Sequence, residues 1–338
     1  MKDEERSLMK TYMKMSLLGL MVVLAGAGCR HYAKFEVTVP GEKALPGVRG
    51  MGVADFENKT PLAREMNLGS KIAQGFRDGV ERERFIEIRF LPTGSGVNAS
   101  VAISQAPSGA QAVLLGAVED AAVEDTPPEP TYMVQMQYVG DQMVPVQVPA
   151  VKIDRQARLS VSYRVHRVAD SQLLAENVFQ QSSQRQSQTA LTADLARAGL
   201  PAPNHLMSPL VNTIIGKMVK ELSPTTVQVE RRMLMGDQNV DLGVRSAEHK
   251  LWDEAQAYWE LAAEEAEKPK HRAAAYYNLA VYYEVHNHFE KARECLAEAR
   301  SLNPGESLFL EYLGTINARE KEFQKVVEQR ETMDQVAP

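Results

Sequence analysis

"AAAYYNLAVYYEVHNHFEKARECLAEARSLNP", residues Ala273–Pro304, decides how the last third of the chain is read. Tyr276, Leu279, Ala280 and Tyr283 recur at helical spacing, as do Ala292, Leu296 and Ala299 after the turn His286-Asn287-His288. Apolar residues at i, i+3, i+4 and i+7 mark one face of a helix, so the stretch predicts a helix pair closed by Pro304. The grammar repeats on either side. A shift of 37 residues back puts Leu242, Gly243, Ala255, Trp259 and Ala262 in the same roles, with the extra length in "EKPKHR". A shift of 34 residues forward puts Leu313 and Gly314 there, followed by a weaker second helix ending near Arg330. Each helix pair cannot bury its apolar side alone, and about three in a row make a continuous core.

This spacing resembles the tetratricopeptide repeat, which predicts an all-α solenoid over residues 236–330 that folds as its own unit. The resemblance implies a concave groove lined by the first helix of each repeat. In the central repeat Ala274, Tyr277, Val281 and Glu284 take those positions, with Asn278 beside them; Glu311 and Thr315 follow in the next. Tyr277, Asn278, Val281, Glu284 and Glu311 are thus the expected partner-binding residues. Their lining is apolar and aromatic with acidic spots, suited to an extended or helical segment with an aromatic anchor and a basic flank.

The chain begins differently. "MSLLGLMVVLAGAGCR" (Met15–Arg30) is an apolar run preceded by Lys2, Arg6, Lys10 and Lys14. Its apolar core is too short for a bilayer span and has the length of a secretory signal, ending in small residues. Gly26-Ala27-Gly28 before Cys29 resembles the lipobox of bacterial lipoproteins, with Gly26 where an aliphatic residue is usual. The resemblance implies cleavage after Gly28 and acylation of Cys29, the expected lipidation site; Arg30 fits outer-membrane sorting. An ordinary secreted protein or an uncleaved anchor is the alternative. Residues 1–28 read as signal peptide and 29–47 as a tether with one short alternating run, giving reach from the membrane.

Between them, residues 48–234 mix strands and helices. "VRGMGVADFENKT" runs from an apolar strand into a polar loop. "PLAREMNLGSKIAQGFRDGVERE" spaces Leu68, Ile72, Phe76 and Val80 four apart behind Pro61. "RFIEIRF" alternates, "AQAVLLGAVEDAAVED" has strand character, and "TYMVQMQYVGDQMVPVQVPAV" reads as a hairpin turning at Gly140-Asp141. A second strand pair turns near Ala169-Asp170 and ends in the Gln/Ser-rich stretch Gln180–Gln188. Ser208 caps a helix to Leu222 with Pro209 in its first turn, and "TVQVERRML" is a last strand. The order from "GVADFENKT" through "AVLLGAVED" and "ARLSVSYRVHRVADSQLL" to a late helix resembles the curli-secretion (CsgG-like) lipoprotein family. The fold class expected is therefore α+β, a CsgG-like mixed domain followed by an all-α solenoid.

The 338 residues carry a formal net charge of −6, and loss of residues 1–28 makes the mature chain one unit more acidic. That balance argues against nucleic acid. Two cysteines, Cys29 and Cys295, leave an acylated chain without an intrachain disulfide. No His-x-x-x-His, Cys-x-x-Cys or Gly-x-Ser-x-Gly spacing occurs, and "PTGSGVN" (Pro92–Asn98) lacks the Lys of a phosphate loop. No enzyme activity, cofactor or metal is expected. The function expected is a lipid-anchored, periplasm-facing outer-membrane scaffold or adaptor in envelope assembly or export, binding a protein partner through its repeats, with a homo-oligomeric ring as a candidate assembly. The alternatives are a curli-like secretion channel, with hairpins from Thr131–Val151 and Gln180–Ala190, and an activator of a cell-wall enzyme.

Overall fold

The computed structural model describes residues 31–43, 45–91 and 98–334. The expected signal peptide, Cys29 and most of the "PTGSGVN" turn lie outside the described residues. The fold is mixed α/β with a C-terminal helical region. It divides into two compact units: residues 31–37 with Thr226–Phe323, and residues 38–225 with the chain from Gln324 onward.

The described chain opens on β1 (His31–Val39), in the stretch expected as a tether. In the α/β unit, β2 (Gly50–Val53) and β3 (Glu57–Asn58) lead to α1 (Pro61–Glu65) and α2 (Leu68–Glu83). Thr60 caps α1, its hydroxyl accepting from Ala63 N–H at 3.3 Å. The expected single helix is broken at Asn67, whose φ of 49° stands in the left-handed region that Asn tolerates better than most residues. The apolar stripe survives the break: Leu68, Ile72, Phe76 and Val80 are all buried. The "DFEN" turn anchors α2 from outside, for Asn58 Oδ1 accepts from Gly69 N–H at 2.8 Å. β4 (Glu87–Phe90) and the short α3 (Ala99–Ser104) follow.

β5 (Ala112–Asp125) then lies parallel to β2 and antiparallel to β8 (Asp154–Arg167), which pairs with β9 (Leu173–Gln186). The strand order is β4-β2-β5-β8-β9, with β3 beside β5. Between β5 and β8 the chain leaves the sheet as a separate hairpin, β6 (Glu129–Val139) and β7 (Gln142–Lys152), turning at Gly140 with φ 67°. Pro127-Pro128 breaks the ladder at its root, where neither residue can donate a backbone hydrogen bond. The stretch Gln180–Ala190 is no second hairpin: it is the far end of β9, bridged onward from Ala190 to Val151.

α4 (Ala193–Ala198) precedes α5 (Pro203–Leu222), which starts earlier than the Ser208 cap predicts. Pro203 occupies the first helical turn as well as Pro209 was expected to, and Pro209 is carried inside the helix. α5 packs on α2 where Gly75 and Gly79 leave room: a Cβ added there would come 2.4 Å from Ile215 and 2.7 Å from Val219.

The helical unit begins with β10 (Thr225–Met233), which pairs with β1 in a two-stranded ribbon. Ala33, Phe35 and Val37 are buried at every second residue, as a strand with one covered face requires. α6 (Gln238–Glu248) and α7 (Trp252–Glu265) form one pair, α8 (Pro269–Val285) and α9 (Phe289–Leu302) the next. Gly243 admits the buried Trp259, whose indole would lie 2.4 Å from a Cβ there and donates to Val240 C=O at 3.2 Å. The expected third pair is absent. α10 (Leu308–Asp334) is one helix, since the sequence from Thr315 to Asp334 holds no Gly or Pro to stop it.

Candidate interaction surfaces

The groove residues expected to bind a partner are occupied by the chain itself. Tyr277, Asn278, Val281 and Glu284 are all buried, and only Glu311 is exposed. Asn278 serves as a backbone clamp: its amide oxygen accepts from Leu234 N–H at 3.0 Å and its Nδ2 donates to Leu234 C=O at 2.8 Å. Arg231 meets Glu284 with both ends of its guanidinium, Nη2 at 2.6 Å and Nε at 2.8 Å. Tyr312 O–H donates to the same carboxylate, and Arg319 stands 3.8 Å away. Tyr277 packs against the rings of Phe309 and Tyr312 at 5.7 and 5.2 Å. Burial pushes the Tyr277 and Tyr312 hydroxyls well above the ordinary phenol value, so both stay protonated donors at neutral pH.

The correction has a physical reason. α8 is apolar nearly all round, the mark of a helix covered on every side, and β10, Leu234 just after it and α10 supply the extra cover. Arg231, which sequence reading missed, is visible only once Glu284 is recognised as a carboxylate on an otherwise apolar helix face. On α9, partial burial pushes the Cys295 thiol up to about 12.

The α/β unit offers two surfaces. The first is the β6–β7 hairpin, whose Tyr132, Val134, Met136, Tyr138 and Met143 share one face and stand 54–73% exposed. Between Pro130 and Val151 the only charge is Asp141, at the tip. The root is held by Asp125 and Arg155, paired at 2.6 and 2.8 Å, with Arg155 also donating to Pro201 C=O at 2.9 Å. The hydrogen bonds from Arg155 hold the Asp125 carboxyl below its ordinary range. A carboxylate with a lowered folded pKa stabilises the fold above its unfolded pKa and loses that contribution as pH falls through the folded value. Asp125 should therefore titrate by NMR below an ordinary aspartate, and Arg155→Gln should bring it back up. An unchanged titration would mean the pair does not hold the root.

The second surface is a groove of about 510 Å³ between α2 and α5, lined by Asp55, Lys71, Asp78, Phe90, Asn212 and Ile215 among others. Asp55 follows β2 and Phe90 ends β4, so it lies at the carboxyl ends of two parallel strands, where open α/β sheets place ligands. Among the described residues no three His, Cys, Asp or Glu side chains gather as a metal set. No described helix is long and apolar enough to cross a membrane.

Comparison with known proteins adds the following. A family model described as a domain of unknown function (DUF6340) matches residues 242–325, within the helical region. No curated protein matches the chain. Among solved structures, the PelC dodecamer from Paraburkholderia phytofirmans is similar at 14% identity, over 57% of this chain and 99% of that one, with a TM-score of 0.28. A putative neuraminyllactose-binding hemagglutinin homolog from Helicobacter pylori is similar at 7% identity, over 54% and 87%, with a TM-score of 0.30. The lipoprotein GNA1162 from Neisseria meningitidis is similar at 13% identity, over 49% and 98%, with a TM-score of 0.17.

Proposed function

We propose that this chain is a lipid-anchored, non-enzymatic scaffold of the bacterial cell envelope that engages protein through its β6–β7 hairpin. In this reading the α/β unit is CsgG-like, the pairs α6/α7 and α8/α9 are tetratricopeptide-like, and Cys29 carries the acyl anchor of a periplasm-facing outer-membrane protein. The partner surface moves from the repeat groove, which β10 fills, to the hairpin. The observation that carries the proposal is the exposed face of Tyr132, Val134, Met136, Tyr138 and Met143. Those five side chains expose on the order of 700 Å² together, above the ~300–600 Å² of the largest apolar patch on a typical monomer.

The test uses the mature full chain extracted from membranes. Tyr132→Lys with Tyr138→Lys should abolish its assemblies on light scattering and chemical cross-linking, with circular dichroism unchanged, while mass spectrometry finds an acylated Cys29 at the amino terminus. Assemblies that persist in the folded double variant would sink the hairpin as the contact. A second reading, a subunit of a curli-like secretion channel, is favoured by the arms of 11 residues each. That length suits a membrane strand, which takes about 9–11 residues. Ion conductance by the purified assembly in planar bilayers would decide for it.

A further inference from the structure

The two free edges of the hairpin are not equivalent. Val151 N–H donates to Ala190 C=O at 2.8 Å, away from β6. With period-two alternation, the backbone groups of Met143, Pro145, Gln147 and Pro149 also point out from β7. Two of those four positions are proline, so the outer edge of β7 lacks half its donors. On β6 the residues opposite these, Tyr132, Val134, Met136 and Tyr138, point outward with every N–H and C=O intact. No described strand pairs with that edge. Proline is a common device for blunting a strand edge against pairing, and here it protects one edge only.

The open edge is also close to a palindrome. "YMVQMQY" (Tyr132–Tyr138) reads tyrosine at both ends, apolar side chains at Val134 and Met136, and glutamine at the centre. Antiparallel pairing with an identical strand about Gln135 sets Tyr132 against Tyr138 and Val134 against Met136, twice over. All four outward residues then exchange both backbone hydrogen bonds, and no charge lies in the seam.

We infer that β6 pairs edge to edge with β6 of a second copy of this chain, in register about Gln135, giving the four-stranded sheet β7-β6-β6-β7. This rests on the reading of the hairpin as a protein-binding surface and names its partner. A lone two-stranded hairpin is at best marginally stable in water, whereas three or more strands with an apolar face hold together. Two tyrosine pairs across the seam add aromatic cross-strand contact. Related by a two-fold axis normal to the sheet, the two copies set their exposed faces side by side as one apolar face of four strands. The pairing is isologous and closes at two copies, because the remaining outer edges are those with Pro145 and Pro149. A ring built by joining β6 of one copy to β7 of the next would have to use the blunted edge.

Cysteine cross-linking reads the register. Gln135 opposite itself is a non-hydrogen-bonded pair, with Cα atoms about 4.5 Å apart, inside the range a disulfide spans. In the full-length chain, Gln135→Cys should form a disulfide dimer under mild oxidation. Gln137→Cys, on the same face of the same arm, should not, because its copies would lie about 14 Å apart along the strands. Mixing Met133→Cys with Gln137→Cys chains should restore the cross-link. Val134→Pro removes an outward donor without touching the β6–β7 ladder and should turn the dimer monomeric. Equal cross-linking at 135 and 137, or a monomer with no cross-link at either, would overturn the inference. An assembly that Tyr132→Lys with Tyr138→Lys disperses, but Val134→Pro leaves whole, would overturn the edge pairing and keep the hairpin as an interaction surface. A monomer whose hairpin is protected from protease by phosphatidylethanolamine/phosphatidylglycerol vesicles would overturn it in favour of lipid.

Discussion

Arg231→Met should destabilise the helical unit by about 3–5 kcal/mol, because it strands the carboxylate of Glu284 inside the protein. That side chain is fully buried and takes two of its hydrogen bonds from Arg231. Tyr312 still donates to it and Arg319 remains 3.8 Å away, which points to the lower end of the range. Both tryptophans, Trp252 and Trp259, belong to the helical unit, so their fluorescence in a denaturant titration of the full chain follows this unit alone. Arg231→Met with Glu284→Leu should recover much of the loss, since an apolar pair of similar volume no longer buries a lone charge. A single variant within 1 kcal/mol of the parent would show that the pair does not fasten the ribbon. The same geometry corrects the expected boundary of the module. A fragment starting at residue 236 lacks Arg231 and Leu234, and so leaves Glu284 and Asn278 without their partners.

Gly69→Ala should be the most damaging small substitution in the α/β unit, at about 3 kcal/mol or more. A Cβ at that position would lie 1.9 Å from the carbonyl oxygen of Phe56 and 2.8 Å from its carbon. Both are backbone atoms, so no rotamer change can relieve the clash, and α2 would have to lift off the "DFEN" turn. Gly216→Ala supplies the control with the opposite sign. It lies inside α5, a Cβ there meets nothing within 4 Å, and removing a helical glycine should stabilise by about 0.5–1 kcal/mol. Thermal melts by circular dichroism should move in opposite directions for the two. A melt for Gly69→Ala equal to the parent would mean that the close approach of the turn to α2 is not needed.

What could be read from the sequence was whatever periodicity or turn chemistry encodes locally. The stripe Leu68, Ile72, Phe76 and Val80 and the turn Gly140-Asp141 stand where the spacing put them. Gly243 and Trp259 stand on the two helices of one pair, as the spacing has them, and the structure adds that they touch. Two features were hidden because they depend on distant residues. β1 alternates like any edge strand, and nothing local says that β10 covers it. The inner positions of α8 look the same whether a foreign segment or the protein's own strand fills them. The start of α5 was misplaced because Pro203 and Pro209 both satisfy the rule for a first helical turn. The site fared unevenly for the same reason: the hairpin is local and was legible, whereas Arg231 and Glu284 are joined only by the fold.

The ribbon of β1 and β10 also governs the order in which the protein can be finished. The 185 residues from Pro40 to Pro224 separate its two strands. Closing a loop of that length costs roughly 4–5 kcal/mol of chain entropy on the logarithmic scaling of loop closure. A chain that emerges amino terminus first exposes the alternating strand Ala33, Phe35 and Val37 long before its mate exists. That strand must stay unpaired until more than half of the polypeptide has followed. The helical unit should therefore fold slowly and last, with the first strand as its final piece, since long-range pairing sets the pace when contacts are far apart in sequence. Moving His31–Val39 to the carboxyl-terminal side of the chain by circular permutation would shorten that wait, and refolding followed by the two tryptophans would time it.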